Sequence, residues 1–217
     1  MSFDIYTLIS SQLHDLKNQM QSMLNAQDEL EDALNLSPDQ QSLFERLQDH
    51  SHLLNQRIIE LLSVLKMQNQ SFKPNIDECW LMDTLTPIAK EFFELHGVNI
   101  QLDFDEDFNQ FFDEQLLSIA VHNSCLNAFQ AGANTIVITV QEHPDGRWQL
   151  DICDDGPGFD DDLLDANHHF APSGTQHGLG LYLIEQALFA HQRANKHGEI
   201  LIQNLPDKGA KLSLLFP

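Results

Sequence analysis

Trp148-Gln149-Leu150-Asp151-Ile152-Cys153-Asp154-Asp155-Gly156-Pro157-Gly158 is the stretch that decides the fold. Residues 148–153 alternate, with Trp148, Leu150 and Ile152 on one side, as in a strand with one face in the core. Side chains on a strand point to opposite faces in turn, so Asp154 continues the inward face. A carboxylate aimed into an apolar pocket costs on the order of several kcal/mol unless a donor meets it. Asp154 therefore calls for a hydrogen-bond donor. Gly156 and Gly158 permit backbone turns and a close approach that a Cβ would block.

Working outward, Thr135-Ile136-Val137-Ile138-Thr139-Val140-Gln141 alternates in the same way, and His143-Pro144-Asp145-Gly146 between the two runs signals a hairpin turn. Residues 98–104, 199–204 and 210–216 are expected as further strands, the last two flanking a Pro206-Asp207-Lys208-Gly209 turn. Helical patterns occupy roughly 78–95, 113–131 and 178–194. Strands that come largely in antiparallel hairpins, with helices over one face, make an α+β fold. The expected form is an α/β two-layer sandwich with a mixed, largely antiparallel sheet.

The first seventy residues follow another period. Ile9, Leu13, Leu16, Met20, Met23, Leu30 and Leu34, with Gln27 as the one polar interruption, step by three and four along a helix predicted over 3–34. Ser37 is a good N-cap, Pro38 suits the first helical position, and Gln40 completes a capping box. A second helix is predicted over 38–69, with Leu43, Leu47, Leu54, Ile58, Leu61 and Leu65 on its stripe. So short a connection makes the two helices antiparallel neighbours. One stripe per helix buries too little, so two hairpins are expected to pair as a four-helix bundle, making the chain a homodimer. Pro74 cannot continue a helix. The expected domains are thus 1–70, a helical hairpin, and 71–217, the sandwich.

The chain has 11 Lys and Arg against 33 Asp and Glu, a formal charge of −22. It repels nucleic acid and anionic membrane, whose phosphates need basic side chains. A phosphate ligand would have to be met by backbone N–H groups, a helix N-terminus or a metal ion. No apolar run approaches the ~20 residues that span a bilayer, and Met1-Ser2-Phe3-Asp4 opens without a basic stretch, so a cytoplasmic location is expected. Cys79, Cys125 and Cys153 are scattered and odd in number, as small core residues rather than a disulfide or CxxC framework. His50/His52 and His168/His169 have no matching Cys or carboxylate cluster, so no metal site is expected there.

Four segments in order now resemble the histidine kinase core of two-component systems, whose ATP domain belongs to the gyrase, Hsp90 and MutL-like ATPase group. His14-Asp15-Leu16-Lys17-Asn18 resembles the H box, Asn123-Ser124-Cys125-Leu126-Asn127 the N box, Asp154-Asp155-Gly156-Pro157-Gly158 the G1 box, and Gly178-Leu179-Gly180-Leu181 the G2 box. The resemblance covers nearly the whole chain. It implies that His14 attacks the ATP γ-phosphate, that Asp15 acts as base, and that Asn18 positions water for phosphatase activity. It also implies that Asn127 holds Mg²⁺, that Asn123 has an adjacent catalytic or water-binding role, and that Asp154 receives the adenine amino group. Gly156, Gly158, Gly178 and Gly180 would line the nucleotide, under a lid at 160–177 with a faint lid motif near Phe170. Gly209 precedes the last strand as in the family.

Spacing agrees in part. His14 and Asn18 lie one helical turn apart on one face, as do Asn123 and Asn127, whereas Asp15 cannot face His14 directly. Two positions depart from the family. Gln19 replaces a helix-kinking proline. Gln130 replaces a Lys or Arg that contacts phosphate, which implies modest ATP affinity or a substitute such as Arg193 or Lys196. The reading that follows is a histidine autokinase that passes its phosphoryl group to an aspartate of a response regulator, with ATP and Mg²⁺ as cofactors. Because His14 lies so near the start, the expectation is either that the signal comes from a separate sensor protein or that the sequence is a fragment of a longer chain. Two alternatives remain: an ATP-independent phosphotransfer adaptor with a degenerate nucleotide site, and an interaction protein that only senses nucleotide.

Overall fold

The structure is a computed structural model that describes residues 5–34, 36–68, 73–164 and 178–217. The chain divides into two compact units, Met1–Phe72 and Lys73–Pro217.

The first unit is a pair of helices, α1 (Ile5–Ala33) and α2 (Pro38–Gln68). The capping box forms as its sequence directs: the Ser37 N–H donates to Gln40 Oε1 at 3.0 Å, and the Gln40 N–H donates to Ser37 Oγ at 3.4 Å. The helices run antiparallel. Gln27 Nε2 donates to Ser51 Oγ at 3.0 Å, while Gln41 and Gln48 both donate to the Glu31 carboxylate, at 3.0 and 2.8 Å.

The apolar stripes do not pack as single seams. On α2, Phe44, Ser51 and Ile58 are buried, whereas Leu47, Leu54 and Leu61 are exposed. On α1, Met20, Leu24 and Gln27 are buried, whereas Leu16, Met23 and Leu30 are exposed. Each heptad pattern thus splits into two rows of period seven, one turned to the partner helix and one turned to solvent. Leu24 and Phe44, which lie off the expected stripes, are buried in the hairpin.

The second unit contains, in order, β1 (Asp77–Trp80), α3 (Leu81–His96), β2 (Asn99–Asp103), β3 (Asn109–Phe112), α4 (Glu114–Gln130), β4 (Thr135–Glu142) and β5 (Trp148–Asp154). Then come α5 (Asp161–Leu164), α6 (Gly178–Ala190), β6 (Gln192–Arg193), β7 (Lys196–His197), β8 (Glu199–Asn204) and β9 (Ala210–Phe216). The main sheet has the order β2-β4-β5-β9-β8; β2 and β4 are parallel and every other neighbouring pair is antiparallel. The unit is a mixed α+β fold with a five-stranded mixed sheet.

Two helical expectations are too long. Residues 78–80 belong to β1, which pairs with β3. Residues 191–194 leave the helix at His191 and enter the β6–β7 hairpin, whose turn places Ala194 and Asn195 at φ 49° and 63°. In both places a long-range or cross-strand pairing overrides a locally helical pattern.

The core lies on one face of the sheet. Trp148 stacks on Phe216 with ring centroids 4.1 Å apart, and Phe108 and Phe112 tilt against it. Leu150, Ile136, Ile138 and Leu214 continue this layer toward Leu117 and Val121 of α4 and Leu183 and Ile184 of α6, all buried. Cys125 is buried among them, and burial pushes its thiol up to about 12. Cys79 and Cys153 are only half-buried, and all three cysteines are free.

Candidate functional site

Asp113 starts the site. Its Oδ1 accepts the Leu116 N–H at 3.0 Å, capping α4, and its second oxygen accepts the Asn75 N–H at 2.7 Å. The capped helix presents Asn123 and Asn127 one turn apart. Asn123 is buried and donates through Nδ2 to the Ile119 carbonyl at 2.8 Å, while its Oδ1 has no partner among the described residues. Asn127 is half-buried, and its buried Nδ2 likewise has no described partner.

Gly180, in the first turn of α6, comes against Asn127. A Cβ at Gly180 would lie 2.9 Å from Asn127 Oδ1, so only glycine leaves the amide its place. The second and fourth motifs thus meet directly, although 53 positions separate Asn127 from Gly180. Gly178 begins the same helix.

Asp154 closes β5. Its side-chain Oδ1 accepts from the Gly156 N–H at 2.8 Å and the Ala210 N–H at 3.3 Å. Asp155 turns the other way: its Oδ1 accepts from the Asn134 and Thr135 N–H groups at 2.8 and 3.1 Å. Those backbone donors, Thr135 foremost, hold its carboxyl below the usual range.

Asn127, Gln130, Asp154 and Gly158 line one cavity of about 320 Å³, completed by apolar side chains that include Ile152, Leu163, Leu181 and Leu212. An apolar wall with a few convergent polar groups suits a small planar ligand. Asn123, Gly156 and Gly180 do not line this cavity, though Gly156 and Gly180 touch residues that do. Asp160 of the cavity rim and helix α5 are described; the rest of the expected lid, including Phe170, lies outside the described residues.

Among the described residues, no cationic side chain lines the cavity. Gln130 is exposed at its edge, and neither suggested substitute reaches it. Lys196 Nζ lies 4.0 Å from Asp145, in the turn before β5. That is the opposite end of a seven-residue strand from Asp154, about 20 Å away at ~3.3 Å per residue. Arg193 lies on the same β6–β7 hairpin. From Glu91 to Gln192 the sequence holds one basic residue, Arg147, against eighteen acidic ones. Arg147 is bound to Asp145 at 2.7 Å.

In the hairpin unit, His14, Asp15 and Asn18 are exposed on α1. Asn18 Nδ2 lies 3.4 Å from His14 Nδ1, so the two residues form a pair. Sequence reasoning missed Asn204, whose side chain holds the backbone of Phe159 beside the cavity. No local signal points to it, because the contact joins the end of β8 to a turn 45 residues earlier.

Residues 112–217 match the family described as histidine kinase-, DNA gyrase B-, and HSP90-like ATPase. These residues form an ATPase domain of that family. The wider chain is similar to sensor histidine kinases. It is 23% identical to the adaptive-response sensory kinase SasA of Gloeothece citriformis (strain PCC 7424), over 94% of this chain and 55% of the relative. Two solved structures share the fold. Full-length ShkA, crystallised in complex with AMPPNP, gives a TM-score of 0.65 at 19% identity, over 95% of this chain and 45% of that one. The Acinetobacter baumannii histidine kinase AdeS gives 0.61 at 17% identity, over 94% and 96%. The chain spans about half the length of SasA and ShkA.

Among the described residues, no cluster of three or more His, Cys, Asp or Glu could hold a metal ion in the ATPase domain or elsewhere. Asn127 nevertheless fits a hard cation of the Mg²⁺ kind. Such an ion needs only one or two protein oxygens beside phosphate and water, and an amide with one end unpartnered can turn its oxygen toward the cavity. No helix among the described residues is long and apolar enough to cross a membrane.

Proposed function

We propose that the chain is a cytoplasmic histidine autokinase that transfers the ATP γ-phosphoryl group to His14 and then to an aspartate of a response regulator. The observation that carries this reading is the convergence of Asn127, Asp154 and Gly158 on one cavity within a histidine kinase-like ATPase domain. Adenine would donate its amino group to Asp154, whose environment is apolar on the side of Ile152, Leu181 and Leu212. Asn127 would hold Mg²⁺, which neutralises phosphate charge. The free N–H groups of the first turn of α6 favour the same anionic end.

At His14 the neutral ring attacks through Nε2. The new N–P bond replaces the bond from the γ-phosphorus to the bridging oxygen, and ADP leaves. The ring then gives up its Nδ1 proton. With its amide turned so that the oxygen, rather than the Nδ2 that lies 3.4 Å away, meets Nδ1–H, Asn18 would favour this tautomer and leave Nε2 with its lone pair. Asp15 is the proposed base, reached by a bent rotamer, and Asn123 assists on the nucleotide side. Asn18 would also position water to remove phosphate from the regulator. The exposed row Leu47, Leu54 and Leu61 and its counterpart on α1 support a homodimer through residues 1–70.

One observation favours a second reading. With no Lys or Arg among the described residues that line the cavity, triphosphate affinity rests on the metal and backbone, as it would in an adaptor with a degenerate site. Incubation with γ-labelled ATP and Mg²⁺ separates the two. Acid-labile, base-stable label is expected on the wild-type chain and none on His14→Gln, with nucleotide binding intact in both. Undiminished label on His14→Gln would remove His14 from the reaction. Wild-type chain that stays unlabelled would favour the adaptor.

A further inference from the structure

Asn204 closes β8, and its side chain is wholly engaged by the turn that follows Asp154. The Phe159 N–H donates to Asn204 Oδ1 at 2.6 Å, and Asn204 Nδ2 donates to the Phe159 carbonyl at 2.9 Å. One amide thus satisfies both backbone groups of one residue, fixing its position and its orientation together. The turn is shaped to receive it. Gly158 has φ +94°, and a Cβ there would stand 2.7 Å from Asn204 Oδ1. At its other end the turn is held by Asp155, through the Asn134 and Thr135 N–H groups.

Between these anchors, Pro157, Gly158, Phe159 and Asp160 form one wall of the cavity, which Asn204 itself does not line. A wall tied at both ends need not be ordered by the ligand, and preorganisation of this kind raises affinity without a new contact. We propose that Asn204 is a positioning residue for the nucleotide: it holds the Pro157–Asp160 wall in its binding shape through Phe159. This role rests on the reading of the cavity as a nucleotide site.

The test titrates ADP and ATP with Mg²⁺ into the whole chain by calorimetry, for the wild type, Asn204→Ala and Asn204→Asp. Melting temperature and hydrogen exchange at the Phe159 amide are measured alongside. Two lost hydrogen bonds weaken binding by about 10-fold. Asn204→Ala should show that loss equally for ADP and ATP, with faster exchange at Phe159. Asn204→Asp keeps the acceptor and loses the donor, so it should fall between. If Asn204→Ala unfolds, the isosteric Asn204→Asp decides: reduced affinity at the wild-type melting temperature supports the role, and full affinity overturns it. Wild-type binding with an unchanged Asn204→Ala overturns the role of Asn204 alone. A wild-type chain that binds neither nucleotide overturns the nucleotide reading and this role with it.

Discussion

In the hairpin, Phe44 and Ile58 are buried while Leu47, Leu54 and Leu61 of the same helix stand in solvent; in the ATPase domain, Trp148, Leu150 and Phe216 are covered almost completely. The hairpin also places a polar pair, Gln27 and Ser51, at the centre of its interior, with Gln27 Oε1 lacking a described partner. The domain has a sheet with three helices over it and can close a core by itself. Two helices cannot, because each has neighbours on one side only. A closed core can carry a fixed cavity, whereas the hairpin leaves an apolar row in solvent.

Trp148→Ala should break the comparison most strongly. It removes the ring stacked on Phe216, at a cost of about 3–5 kcal/mol. Calorimetry should show the ATPase transition lowered or lost while circular dichroism retains the helical signal of 5–68. Concerted melting of both units would mean that they do not fold independently. Next in size is Leu47→Glu combined with Leu54→Glu. Charges on the outward row should weaken self-association by about 100-fold, roughly 2.7 kcal/mol, while leaving the helices formed. Unchanged sedimentation would place any self-association elsewhere.

A third change acts inside the hairpin. Ser51→Ala removes the acceptor of Gln27 and should cost about 1–3 kcal/mol, because a buried donor is left unmet. Gln27→Leu combined with Ser51→Ala should recover that loss or exceed it. If the double variant is less stable than Ser51→Ala, the polar pair supplies more than a satisfied hydrogen bond.

The smallest effect lies in the ATPase domain. Burial lowers the pKa of His191, against opposing pulls from the Ala187 carbonyl and Asp113. Its Nε2 accepts the Asp113 N–H at 3.0 Å, and Nδ1 meets the Ala187 carbonyl at 2.8 Å, so the ring fits as the neutral Nδ1–H form. The unfolded chain binds more protons below ~6.5. The stability that the neutral ring contributes is therefore complete above that pH and falls as pH drops toward the folded pKa, by at most about 1.4 kcal/mol per unit. His191→Gln should flatten the difference between urea midpoints at pH 7 and pH 5. A variant with the wild-type slope would exclude His191 as its source.

What the sequence by itself determined is whatever lies within one element or one turn. The Ser37–Gln40 cap, the five strands of the main sheet and the parity that turns Asp154 to the cavity all follow from spacings of a few residues, because side-chain direction there is fixed by the local backbone period. The motifs around Asn127, Asp154 and Gly180 were legible through their resemblance to a known family, which four short segments in order carry. Only the tertiary structure decided which of two apolar rows on each helix faces inward, since both rows have the same seven-residue spacing and only the partner helix distinguishes them. Tertiary pairing also took 78–80 from α3 for β1 and turned 192–197 into a hairpin. It joined Asn127 to Gly180, Asp113 to His191 and Asn204 to Phe159. Such contacts form when distant segments meet, and the residues near either end of the chain segment carry no periodic trace of them.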